Sequence, residues 1–82
     1  MEEVMKFARE YDSKLRADDP RLRRCVQIIC EDGTFYSFDC AFLMKRGEYF
    51  LAFTEHHLFH VFHEDEVICA RQFERIWEIE TC

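Results

Sequence analysis

The chain has 82 residues, of which 49% are apolar, 16% aromatic and 34% charged. That length supports one small core and excludes a two-domain enzyme, while the balance of apolar and charged residues argues against a disordered, collagenous or membrane-spanning chain. The formal net charge of −6 is uneven: residues 1–24 carry seven Lys and Arg against six Asp and Glu, residues 25–54 two against four, and residues 55–82 two against seven. A field of this sign repels phosphate backbones and favours a basic partner.

The start, Met1-Glu2-Glu3-Val4, is acidic and leads into no apolar core of signal-peptide length. No secretory signal is read there, and a cytoplasmic setting is expected. The longest apolar runs, Cys40–Met44 and Tyr49–Phe53, have five residues each, too few for a span. Asn is absent, so there is no glycosylation acceptor. The five cysteines form no C-x-x-C pair, and reduced thiols serving as small buried hydrophobes are expected.

Residues 2–17 read as a helix. Val4, Ala8, Tyr11 and Leu15 recur at helical spacing beside Phe7, giving one apolar stripe. Asp18-Asp19-Pro20 ends it, because proline disfavours helical geometry in the residue before it. From Leu22 the period becomes two. Leu22–Cys30 and Thr34–Leu43 read as strands joined by a tight hairpin at Asp32-Gly33. That turn sets Cys25 opposite Cys40 and Val26 opposite Asp39, with Cys25, Ile29, Tyr36, Phe38, Cys40 and Phe42 on the core face. Lys45-Arg46-Gly47 breaks the pattern, after which Glu48–Thr54 and Leu58–His63 follow as two more strands.

Residues 65–80 fit a helical wheel better than strand alternation, with a broken final strand as the alternative. Ile68, Cys69, Ala70, Phe73, Ile76, Trp77 and Ile79 form one arc, with Asp65 as N-cap. The expected fold is a single α+β domain over 1–82: N-terminal helix, four-stranded antiparallel meander and C-terminal amphipathic helix, both helices packing on the Ile29/Phe38/Phe42 face.

The segment Val26-x-Ile28-x-Cys30-x-Asp32-Gly33-x-Phe35, after an N-terminal helix, resembles the opening of an Sm-type small barrel, with Ile76-x-x-Ile79 as its closing strand. The resemblance covers about a quarter of the chain. It implies the alternative fold, a small Sm/SH3-like β-barrel with an N-terminal helix. The RNA-binding function of that family is not implied, because its Asn and basic loops at the nucleotide site have no counterpart in a chain with no Asn and an acidic C-terminal third. The one basic cluster, Lys14, Arg16, Arg21, Arg23 and Arg24, is interrupted by Asp18 and Asp19 and has no interleaved aromatics, so nucleic acid is not an expected partner.

Four histidines, His56, His57, His60 and His63, fall within eight residues. On a helix His56, His60 and His63 would share a face and suit a metal; on the expected strand they divide between two faces, so they are weak ligand candidates and no cofactor is expected. His63-Glu64-Asp65-Glu66-Val67 opens like a zinc-protease helix but has Val67 where the second histidine belongs. With two glycines in the chain, phosphate-cradling loops are missing too, and the reading leans away from an enzyme.

Three function classes remain. The leading expectation is a non-catalytic interaction module that self-associates, using Phe35, Phe59 and Phe62 with the acidic residues Glu64, Asp65, Glu66, Glu74 and Glu78 against a basic protein surface. A small-ligand binder would use Tyr36, Ser37, Asp39 and His60 in a pocket between sheet and helices. An enzyme or metal protein is the third.

Overall fold

The computed structural model describes residues 2–73. The chain forms helix α1 (Glu2–Lys14), a 3-10 turn (Pro20–Arg23), strands β1 (Arg24–Cys30), β2 (Phe35–Arg46), β3 (Tyr49–Thr54) and β4 (Phe59–His63), a second 3-10 turn (Glu64–Glu66) and strand β5 (Val67–Phe73). The five strands make one open sheet in the order β4-β3-β2-β1-β5, with every pairing antiparallel. The class is α+β, with five strands rather than four.

The helical stripe is placed as the spacing predicts: Val4, Ala8 and Leu15 are buried, with Phe7 and Tyr11 packed beside them. The helix stops at Lys14, three residues short of the expected end. Asp19 then caps the first 3-10 turn, accepting from the Arg21 backbone N–H at 2.9 Å.

The β1–β2 hairpin differs from the expected register by one residue. Gly33 donates to the Cys30 carbonyl at 3.0 Å and Cys30 donates to Thr34 at 2.9 Å, so Glu31, Asp32 and Gly33 form a three-residue loop. Gly33, at φ +89°, supplies the left-handed residue after the turn instead of the second residue of a two-residue loop. Ile28 therefore pairs with Tyr36 and Val26 with Phe38, not with Asp39.

Further along, Arg24 pairs with Ala41. One extra residue on β2 is absorbed where Cys25 stands across from Asp39 and Cys40, so the expected Cys25–Cys40 pairing is replaced by a bulge. Cys40 takes φ +53° there, and the strand bends. Residues before the bend pair with β1 and residues after it with β3.

The bend divides the apolar residues into two layers. α1 packs on Leu22, Phe42, Leu51 and Phe53, while Val26, Ile28, Cys30, Ala41, Ala52 and Phe62 form a second cluster with Phe38 against it. The expected single face holding Ile29, Phe38 and Phe42 is thus split: Phe42 lies under the helix, Phe38 lies in the second cluster, and Ile29 is half-buried.

The helix expected from Asp65 is corrected over its described part. Glu64–Glu66 is a 3-10 turn and Val67–Phe73 a strand on the free edge of β1. The edge of β1 offers backbone partners that a helix could not use. On the strand, the Arg71 side chain donates to Gln27 at 2.8 Å and the Gln72 side chain accepts from the Leu43 N–H at 3.1 Å. The remainder of the expected helix, including Ile76, Trp77 and Ile79, and the barrel-closing segment of the alternative lie outside the described residues.

Among those residues no helix is long and apolar enough to cross a membrane. Cys25, Cys30 and Cys40 form no disulfide. Cys69 is disulfide-bonded.

Candidate functional site

The bent β2 brings its first half over β4, although the two strands are not neighbours in the sheet. Phe38 stacks on His60 with ring centroids 4.3 Å apart, and Tyr36 meets Phe62 at 5.0 Å and Phe38 at 6.1 Å. Burial holds the His60 imidazole below the ordinary histidine pKa of 6.5, because a low-dielectric setting disfavours the charged ring.

Two solvent-open grooves flank this aromatic group. One, of about 400 Å³, runs along β4 and is lined by Met5, Tyr36, Phe59, His60, Val61 and Phe62. The other, of about 370 Å³, lies between the β1–β2 turn and the Glu64–Glu66 turn, lined by Cys30, Glu31, Asp32, Tyr36, Phe62, Asp65 and Glu66. Its walls are tied together: the Glu31 N–H donates to the Glu66 carbonyl at 2.9 Å. Its floor is aromatic and its rim carries four carboxylates and no Lys or Arg.

Local geometry explains the rim. The Thr34 side chain and then the Thr34 backbone N–H, which donates to Asp32 at 2.9 Å, hold the Asp32 carboxyl below the usual range. The His63 Nδ1 accepts from the Asp65 N–H at 3.1 Å and so fixes the start of the acidic turn. Burial, followed by the nearby charges of Asp32 and Glu66, pushes the Cys30 thiol up.

The expected partner-binding residues divide. Phe62, Asp65 and Glu66 line the acidic groove and Phe35 is 53% exposed on the adjoining strand, whereas Phe59 packs against the helix-side core. Glu64 pairs with Lys45 at 2.9 Å. Glu74 and Glu78 lie outside the described residues.

Of the expected pocket residues, Tyr36 and His60 share the β4 groove. Ser37 points to the opposite face of β2, its Oγ 3.8 Å from the Cys25 Sγ, and Asp39 is exposed in the bulge. Sequence reasoning missed Glu31, Asp32 and Cys30 as groove residues, since only the fold of the turn onto the Glu64–Glu66 segment places them there.

The histidines disperse. His56 sits in the exposed β3–β4 turn, His57 reaches the Asp12 carbonyl of α1 at 3.1 Å, His60 stacks on Phe38, and the His63 ring meets Tyr49 edge-on at 5.1 Å. His56, His60 and His63 do not converge, and among the described residues no three His, Cys, Asp or Glu are grouped as a metal would require. Compared with protein families, curated proteins and solved structures, the chain matches none.

Proposed function

We propose that this chain is a non-catalytic protein interaction module that self-associates and meets a basic protein surface, in a cytoplasmic setting. The observation that supports it is the groove beside the β1–β2 turn, where an aromatic floor is rimmed by Glu31, Asp32, Asp65 and Glu66. An apolar centre inside a charged rim is the anatomy of a protein interface. Exposed Leu58 and Ile68 add apolar surface that a second copy can cover.

Two measurements test this reading. Sedimentation velocity at micromolar concentration is expected to show a species heavier than the 10.0 kDa monomer. A pull-down from the native host is expected to recover a basic protein that is released by salt, because contacts among exposed charges are screened within about 10 Å at 0.1 M. A strictly monomeric chain that retains nothing would overturn it.

The second reading is a small-ligand binder, favoured by the meeting of Tyr36 and His60 in one groove. Both grooves are open, and a small molecule gains most in an enclosed cavity. The interaction reading therefore leads. An enzyme remains the third reading, without an activated group to carry it.

A further inference from the structure

We infer that the groove between the β1–β2 turn and the Glu64–Glu66 turn receives a single arginine side chain from a basic partner protein, stacked on Tyr36 above the buried Phe62 and held between Glu66 and Glu31. The inference rests on the interaction reading above and names what that surface recognises.

The groove combines two features that one ligand chemistry satisfies together. Tyr36, 37% exposed, lies 5.0 Å from the buried Phe62 at 58° between their planes, so the floor is the Tyr36 ring backed by an apolar core, and a cation above that ring is attracted by its quadrupole. Carboxylates stand on both walls, Glu31 and Asp32 on the turn, Asp65 and Glu66 opposite. A planar guanidinium can lie on the ring and direct its N–H groups to both walls at once, which a lysine ammonium cannot do.

Charge complementarity also selects the source. The rim is negative on a chain of net charge −6, which favours a basic protein over a second copy. Phe35, 53% exposed beside Tyr36, offers apolar surface for residues flanking the inserted arginine. The Glu31–Glu66 backbone bond holds the walls in place beforehand, so little ordering is needed on binding.

The test is an NMR titration of the full chain at low salt with acetyl-Gly-Arg-Gly-amide, its lysine counterpart and its neutral citrulline counterpart. The arginine peptide is expected to shift the amides of Glu31, Asp32, Asp65 and Glu66, to bind about fivefold tighter than the lysine peptide, and to lose binding when citrulline replaces arginine. Glu66→Gln, at an exposed site, and Tyr36→Leu, which keeps bulk, are each expected to weaken binding about threefold or more, while Glu10→Gln on α1 changes nothing. Equal binding of lysine and arginine, or shifts spread over every acidic residue, would overturn the inference. So would dissociation of a self-assembled species by the arginine peptide, because the groove would then belong to a second copy. A chain that self-associates and captures a basic protein yet ignores the peptides would sink this inference alone and leave the interaction reading standing.

Discussion

Phe38 on β2 and His60 on β4 stack with centroids 4.3 Å apart and 23° between planes, across the interior formed by the bend in β2. The contact depends on a backbone event two residues away, the left-handed Cys40, rather than on strand pairing. A half-buried imidazole in that position makes the fold sensitive to acid.

The His60 pKa lies below 6.5 in the folded chain because burial disfavours the charged ring. Its contribution to stability is therefore fully present above pH 6.5 and is lost as pH falls toward the lowered value, since the unfolded chain takes up the proton first. Thermal unfolding of the wild type is expected to weaken over that window relative to His60→Phe, which stacks on Phe38 without titrating. Parallel loss in the two proteins would show that another group is responsible.

Cys40 carries φ +53°, a region that costs a non-glycine residue about 1–2 kcal/mol. Cys40→Gly is expected to be neutral or stabilising, and Cys40→Val to destabilise by about 1–2 kcal/mol or more, because a β-branched residue tolerates this region worst. Urea unfolding of the two variants checks the order. A valine variant as stable as wild type would mean that the bulge relaxes.

The bulge also marks how far the sequence could be read. Helical spacing of Val4, Ala8 and Leu15 and strand alternation after Leu22 place α1 and four strands close to their observed limits, because both signals come from burial of one face. Register depends on the turn, and Asp-Gly serves two loop lengths equally well; the choice of Gly33 as a bulge residue moved Val26 from Asp39 to Phe38. For Val67–Phe73 the alternative strand, not the favoured helix, is what forms, because the free edge of β1 is a tertiary partner that no local period reports. The candidate site shows the same division: Phe62, Asp65 and Glu66 were legible as an aromatic and acidic segment, whereas Glu31 and Asp32 join them only through the hydrogen bond to the Glu66 carbonyl.

Asp19 links the helix-to-sheet connection. Its carboxylate accepts from the Arg21 backbone and side chain, and these bonds hold its pKa down at about 2. The Arg21 guanidinium in turn lies 4.6 Å from the Phe42 ring centroid and bonds the Tyr11 hydroxyl. Asp19→Ala is expected to cost about 1 kcal/mol for the lost cap, a fall of roughly 4–8 °C in Tm for a domain of this size. A depressed carboxylate stabilises above its unfolded value near 3.8 and loses that stabilisation as pH falls through about 2. The difference between wild type and Asp19→Ala is thus expected at pH 6 and to close near pH 2.

Asp12 sits on the buried face of α1 at 8% exposure, and its Oδ1 has no hydrogen-bond partner among the described residues. The neighbouring His57 ring meets the Asp12 backbone carbonyl at 3.1 Å, closer than the 3.7 Å to Oδ2, so the link from α1 to the β3–β4 turn survives replacement of the side chain. A buried acceptor left unpaired costs about 1–3 kcal/mol, and an apolar residue in the stripe of Val4, Ala8 and Leu15 would remove that cost. Asp12→Leu is expected to raise stability by about 1 kcal/mol, read as a higher urea midpoint with an unchanged slope. Asp12→Asn, which keeps a polar group in place, is expected to gain less. A loss of stability in the leucine variant would show that the carboxylate is held by a partner, and the orphaned oxygen would then have to be reassigned.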